Sequence, residues 1–224
     1  MTTPGGPTGS APGGASSARL DAASAVRELI HALASADADD ARLEQAAVLV
    51  RSALAVLQPA PRRRREFPDF ATLTTLREAG VDLTDHAMAD RAVAGPANPT
   101  SVDITTERVG DEAVATVRFG AAFEGAPGRV HGGLAAAVFD DLTGYALAIV
   151  QEPGFTGRLT VNYRRPIPIE TPVEFRARIN ERDGRKLYVE AVATIDNETL
   201  ATAEAFFILV DREQFLADAT DRLG

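Results

Sequence analysis

One stretch constrains this chain more than any other. Residues 133–150 (GLAAAVFDDLTGYALAIV) are rich in Ala and Leu and interrupted only by Asp140-Asp141 and Thr143. They are long enough for about five helical turns. Segments that alternate apolar and polar residues with period two stand on either side. A helix this apolar must be covered on most of its surface, and the apolar faces of the flanking strands suit that role.

The alternating segments are regular. Val102-Asp103-Ile104 and Ala113 to Phe119 read as two strands joined at Gly110-Asp111. After the apolar helix, Leu159, Val161 and Tyr163 alternate with Thr160, Asn162 and Arg164, and Val173, Phe175, Ala177 and Ile179 alternate with Glu174, Arg176, Arg178 and Asn180. Asp183-Gly184 is a hairpin signal, Leu187 to Ile195 returns along the next strand, Asp196-Asn197 turns again, and Ala203 to Val210 closes the set. The order strand–strand–helix–four strands, with one apolar face per later strand, predicts an α+β fold in which a single antiparallel sheet packs over one buried helix.

The remainder divides by composition. Residues 1–18 are almost wholly Gly, Pro, Ser, Thr and Ala, which cannot offset the entropy of ordering, so a disordered tail is expected. Leu20, Val26, Leu29, Ile30 and Leu33 recur at helical spacing, as do Leu43, Ala46, Val50, Leu54 and Leu57. Asp39 or Asp40 would cap the second run. Residues 19–66 thus predict two helices, a hairpin or a pair docked on a partner, followed by an arginine run at 62–65 that reads as a solvated linker or an anion contact. Residues 67–98 form a lead-in with a short helix expected over Phe70 to Ala79, residues 99–211 the α+β domain, and residues 212–224 a C-terminal tail.

Composition removes several function classes. There is no cysteine, which excludes disulfides and thiolate chemistry, and the three histidines (His31, His86, His131) form no local metal motif. No metal or separate cofactor is expected. A formal charge of −9 opposes generic binding to nucleic acid or anionic lipid. The N-terminus lacks the basic start and apolar stretch of a signal peptide, and no uninterrupted apolar run is long enough for a membrane span, so a soluble cytoplasmic protein is expected.

Chemistry concentrates around the apolar helix. Gly128-Arg129-Val130-His131-Gly132-Gly133 stands directly before it, and N–H groups there lie at the positive end of the helix dipole, where a developing oxyanion could be held. Gly-Gly is also ordinary loop punctuation. Asp140-Asp141 falls inside the helix, where a carboxylate is costly unless paired or neutralised. One of the two is expected to face inward with a raised pKa, as a functional candidate, and the other to face solvent. His131 and Asp140 are nine residues apart, about 13 Å along a helix, so they cannot serve one reacting atom from the same chain. If both act in one site, that site spans two subunits, so a homodimer is the least assembly and a homotetramer is possible.

These residues carry a resemblance. His131-Gly132-Gly133 followed by Asp140, the strand Thr156-Gly157-Arg158-Leu159-Thr160-Val161-Asn162-Tyr163-Arg164-Arg165-Pro166, and Gly184-Arg185-Lys186 together resemble the hotdog-fold thioesterases of the PaaI-like, phenylacetate-pathway branch. In particular they resemble its long-chain acyl-CoA thioesterases of the carboxyl-terminal modulator protein type. The resemblance covers about Asn98 to Asp211, half of the chain. It implies a hotdog fold and hydrolysis of an acyl-CoA thioester to free acid and coenzyme A. It further implies Asp140 as general base or nucleophile, the Gly132 N–H as oxyanion donor from the other subunit, and Thr156 as the residue that orients water. His131 would fix the glycine turn or hydrogen-bond near the thioester. Asn162, Arg185 and Lys186 match positions that contact the coenzyme, and Arg164 and Arg165 are further candidates. Some relatives carry Asn or Gln six residues before the histidine; this chain has Gly125 there. The rival readings are a hotdog dehydratase or hydratase, whose characteristic His–Glu or Asp-x-Asn-Pro-x-His segments do not occur here, and a non-catalytic acyl-CoA sensor.

Overall fold

The computed structural model describes residues 15–63, 89–150 and 152–211. The short helix expected over Phe70 to Ala79 and the C-terminal tail lie outside these residues. Two N-terminal helices, α1 (Ser17–Ser35) and α2 (Asp40–Leu57), precede strands β1 (Asp103–Val109) and β2 (Glu112–Arg118). A 3-10 turn (Ala121–Phe123) leads to α3 (Gly132–Val150), and β3 (Gly154–Tyr163), β4 (Pro172–Asp183), β5 (Lys186–Ile195) and β6 (Glu198–Leu209) follow. Among the described residues the order of helices and strands matches the sequence reading. α1 begins at Ser17, three residues before the first periodic leucine, because the Ser16 hydroxyl accepts from the Arg19 N–H at 3.3 Å.

The six strands form one antiparallel sheet in the order β1-β2-β4-β5-β6-β3. β1–β2, β4–β5 and β5–β6 are hairpins, whereas β2 pairs with β4 and β3 lies beyond β6, forming one edge of the sheet. α3 runs across the inner face. It buries Ala135, Val138, Phe139, Leu142, Ala146 and Leu147 against inward residues of the strands, among them Val117, Val173, Phe175, Val189, Ala203 and Phe207. α3 is also the one described helix apolar and long enough to cross a bilayer, and here that apolarity is spent on the sheet. Phe175 sits at the centre, edge-on to Phe139 at 5.0 Å between ring centroids and to Phe119 at 6.3 Å. Because Phe139 immediately precedes Asp140, this aromatic contact helps fix the rotation of α3, and hence which way each aspartate points.

The N-terminal helices do not form a packed hairpin. α1 docks beside the 3-10 turn, burying only Ala23, while α2 has no buried residue and makes no substantial packing contact with another described element. Leu43, Leu49, Val50, Leu54 and Leu57 of α2 are exposed in the single protomer.

Removing the Phe175 ring leaves a void that the surrounding strands cannot close. Phe175→Ala is therefore expected to destabilise the fold by about 3–5 kcal/mol. Urea unfolding would measure this, and a loss below about 1 kcal/mol would contradict the placement of Phe175 at the core centre.

Candidate functional site

α3 lies lengthwise along β3, antiparallel to it, and this pairing places the candidate residues. At the N-terminal end of the helix the Tyr163 hydroxyl donates to the Gly132 carbonyl. Two turns along, the Thr156 hydroxyl donates to Asp140 Oδ1 at 3.0 Å. Near the far end Leu147 touches the position where Gly154 would carry a Cβ.

Thr156 reaches Asp140 because the strand is irregular there. The register shifts between Thr156 and Arg158, a β-bulge that leaves Gly157 as the extra residue. A Cβ on Gly157 would come within 2.9 Å of the Phe206 ring, so the bulge needs glycine. Beyond it Leu159, Val161 and Tyr163 return to the helix side, and Thr156 before it also faces that side opposite buried Phe207. The result is a carboxylate with one oxygen held by a hydroxyl and the rest of its surface exposed.

The sequence leaves open which aspartate faces inward. Asp141, not Asp140, turns inward: its side chain is 16% exposed and faces the Arg91 guanidinium at 3.4 Å. Burial raises the Asp141 pKa from its ordinary 3.8, Arg91 opposes the rise, and the neighbouring Asp140 charge adds to it. The inward carboxylate is thus an ion pair that ties the lead-in segment to α3. Asp140, about 100° further round the helix, is the open one. Arg91 could not have been picked out from sequence, since nothing in residues 89–98 marks a partner for a residue some fifty positions away. Its Nε is buried without a hydrogen-bond partner.

The glycine turn is built to leave one N–H open. The His131 N–H donates to the Phe123 carbonyl at 2.9 Å, and the His131 carbonyl accepts the N–H groups of Leu134 and Ala135. Its Nδ1 accepts the Gly133 N–H at 3.1 Å. His131 is therefore the N-terminal cap of α3 and consumes the second glycine's donor. Among the described residues no acceptor meets the Gly132 N–H, which stands at the positive end of the helix. Gly125, where some relatives carry a polar side chain, is packed on this turn: a Cβ there would lie 2.9 Å from the His131 Cα. Glycine at 125 thus follows from close backbone approach. Tyr163, quoted in the sequence motif without a role, closes the turn from the strand side, and burial raises its pKa above 10.0.

The basic candidates fall at two ends of the sheet. Arg185 and Lys186 follow the β4–β5 turn at the Thr156 end, Lys186 pairing with Ile208, which in turn pairs with Phe155. Arg185 Nε donates to the Leu209 carbonyl at 3.0 Å. Arg164 and Arg165 follow β3 at the Gly132 end, and Arg165 pairs with Glu198 at 2.9 Å. Asn162 and Lys186 lie on the sheet face opposite α3, as strand alternation from buried neighbours Ala201, Ala203 and Leu187 requires, so Asn162 is not gathered with Asp140. Arg176 and Arg178 are taken up by neighbouring acids: Arg176 by Glu112 across the sheet and Glu174 on its own strand, Arg178 by Glu190 on the adjacent strand. In the arginine run, Arg62 is exposed and Arg63 meets Asp90; Arg64 and Arg65 lie outside the described residues. Among the described residues no cluster of His, Asp or Glu could hold a metal ion.

The Asp141 proton is held more tightly in the folded chain than in the unfolded one. That contribution to stability is present below pH 3.8 and is lost as pH climbs through the raised folded value. Asp141→Asn removes it, so the stability of the variant relative to wild type should rise with pH and then level off. Urea unfolding between about pH 3.5 and 7 checks this, and a difference independent of pH would contradict the buried carboxylate.

Comparison with known proteins agrees with this architecture. Residues 127–202 match the thioesterase superfamily model. The chain is 36% identical over 109 residues to the acyl-coenzyme A thioesterase THEM4 of Mus musculus, covering 48% of this chain and 47% of that protein. It is 29% identical over 87 residues to the protein of the same name from Xenopus laevis, covering 39% of each. The chain thus spans about half or less of the length of the curated relatives it matches. A solved thioesterase superfamily protein superposes with a TM-score of 0.73 at 26% identity, over 87% of this chain and 97% of its own.

Proposed function

We propose that this chain, which carries a hotdog domain of the thioesterase superfamily, is an acyl-CoA thioesterase whose active site is completed only when two protomers meet. One observation carries the reading. The open Gly132 N–H and the Asp140–Thr156 pair lie on the same helix, eight residues or about 12 Å apart, so one chain offers two half-sites and no whole one.

The edge strand supplies the way to join them. β3 presents an unpaired edge ten residues long, with Phe155 56% exposed and Tyr163 49% exposed. Antiparallel pairing of two β3 edges about Leu159–Thr160 sets Thr156 of one copy beside Tyr163 of the other. Because Tyr163 stands over Gly132, each Asp140 then faces the partner's glycine turn. The same two-fold operation brings Arg164 and Arg165 of one copy toward Arg185 and Lys186 of the other, gathering positive charge for the coenzyme phosphates on an acidic protein.

In that composite site the thioester carbonyl oxygen accepts the Gly132 N–H, and the helix dipole stabilises the oxyanion that develops. Thr156 occupies one Asp140 oxygen and leaves the other for the reaction. As general base, Asp140 takes a proton from water as the water oxygen attacks the carbonyl; as nucleophile, its free oxygen attacks first and water hydrolyses the resulting anhydride. Either route breaks the carbon–sulfur bond and releases coenzyme A with its thiol reprotonated. The relatives' name, acyl-coenzyme A thioesterase, and the charge distribution support a CoA ester as substrate. The open carboxylate beside a hydroxyl speaks against the sensor reading, since a binder gains nothing from a negative charge facing a polarised carbonyl.

The test is free-thiol release from short, medium, long and aryl acyl-CoAs. Asp140→Asn should lower kcat by about 10²–10⁴. Gly132 is the first residue of α3, where proline is well tolerated, so Gly132→Pro deletes the N–H while keeping the helix start. It should cost about 10²–10³ in kcat, whereas Gly132→Ala, whose Cβ meets Tyr163 at an ordinary 3.5 Å, should stay within about tenfold of wild type. Wild-type protein that binds the esters and releases no thiol would overturn the hydrolase reading in favour of the sensor.

A further inference from the structure

α1 is attached to the hotdog domain in an unusual way. Its large apolar residues Val26, Leu29 and Leu33 are exposed. A cavity of about 620 Å³, lined in part by Ser24, Glu28, Asp103 and Thr105, separates it from β1. Two polar side chains span the gap. Arg27 Nη1 donates to the carbonyls of Pro96 and Asn98, both at 2.9 Å, and to the Ser101 hydroxyl at 3.2 Å. One turn further, His31 Nδ1 accepts the N–H of Ala122 at 3.1 Å, with the imidazole edge-on to Phe123 at 5.0 Å.

The site of the second anchor is informative. Ala122 lies in the first turn of the 3-10 segment, where N–H groups lack partners within the turn, so His31 caps that turn from a different helix. Gly120 makes room for it: a Cβ there would lie 2.5 Å from the imidazole. The same segment holds the glycine turn, because the Phe123 carbonyl accepts the His131 N–H, Glu124 bridges to Val130, and Gly125 packs on the His131 Cα. An unbroken run of contacts therefore joins His31 to the residue that aims the Gly132 N–H.

We infer that His31 is a positioning residue for the oxyanion donor, and that α1 braces the glycine turn from outside the hotdog domain. This rests on the thioesterase reading for its catalytic consequence, although the brace itself is a matter of local order. His31 touches no reacting atom and acts only through Ala122, Phe123 and His131. Reaction geometry is sensitive to displacements on the order of 1 Å, which cost about 10²-fold in rate, so a turn freed at one end should be slower without binding substrate less well.

Two variants separate positioning from packing. His31→Leu keeps apolar bulk against Phe123 and Gly120 but removes the acceptor, whereas His31→Asn places its side-chain oxygen near the position of Nδ1. On the full chain we expect His31→Leu to lower kcat about tenfold or more, with KM for the acyl-CoA within about twofold, and His31→Asn to recover most of the loss. Hydrogen exchange of the peptide spanning residues 120–134 should quicken in His31→Leu and return toward wild type in His31→Asn. Unchanged exchange in His31→Leu overturns the brace whether or not the protein is active. An equal fall in kcat and thermal stability for both variants, with no rescue by Asn, assigns His31 to packing alone and also overturns it. Absence of thiol release by wild type overturns the thioesterase reading instead, and the exchange measurement still decides the brace.

Discussion

The molecule depends on one helix having to lie full length on a sheet. α3 is too apolar to be left in water and too long to be covered by a single strand pair, so β2, β4, β5 and β6 turn inward residues toward it while its outer stripe runs along edge strand β3. That alignment places the candidate residues. It sets Thr156 opposite Asp140 and Tyr163 opposite Gly132, and it separates the two groups by more than any one carbonyl can bridge. The separation is a consequence of helical rise, so no rearrangement of side chains within one protomer can remove it.

Charge on the helix follows from the same packing. Two adjacent carboxylates cannot share one environment at 100° spacing, and the rotation set by Phe139 against Phe175 gives them opposite fates. Asp141 is drawn into a partly buried pair with Arg91, which costs desolvation and returns a tether between the lead-in segment and the core. Asp140 stays in the open, with one oxygen held by the Thr156 hydroxyl. The glycine turn follows the same pattern: His131 satisfies the backbone around Gly133, and among the described residues no acceptor meets the Gly132 N–H.

Much of this was legible in the residues. The period-two alternation of Leu187 to Ile195, the Asp183-Gly184 turn and the isolated apolar run each carry a local signal strong enough to name the element. What was not legible is non-local. No pattern within Gly154–Tyr163 says that it pairs with β6 rather than with β4, because its outward residues suit either neighbour. Burial arguments alone pointed to whichever aspartate faces inward, and that proved to be Asp141; only the motif spacing from His131 singled out Asp140. Nor could periodicity tell a helix hairpin from what is found: α1 is tied to the domain mainly by Arg27 and His31, and α2 is left without cover in the protomer. The stripes on these helices have the right spacing for burial, yet spacing does not specify the surface that buries them.

The central claim is that each active site takes its carboxylate from one chain and its oxyanion donor from the other. Mixing Asp140→Asn with Gly132→Pro protomers, each inactive alone, tests it most directly. In a hybrid dimer one site receives both defects and the other receives neither, so random exchange between equal amounts should restore about a quarter of wild-type thiol release. Hybrid dimers that form, as shown by differently tagged subunits purifying together, yet remain as inactive as their parents would contradict the shared site and place the whole reaction within one chain.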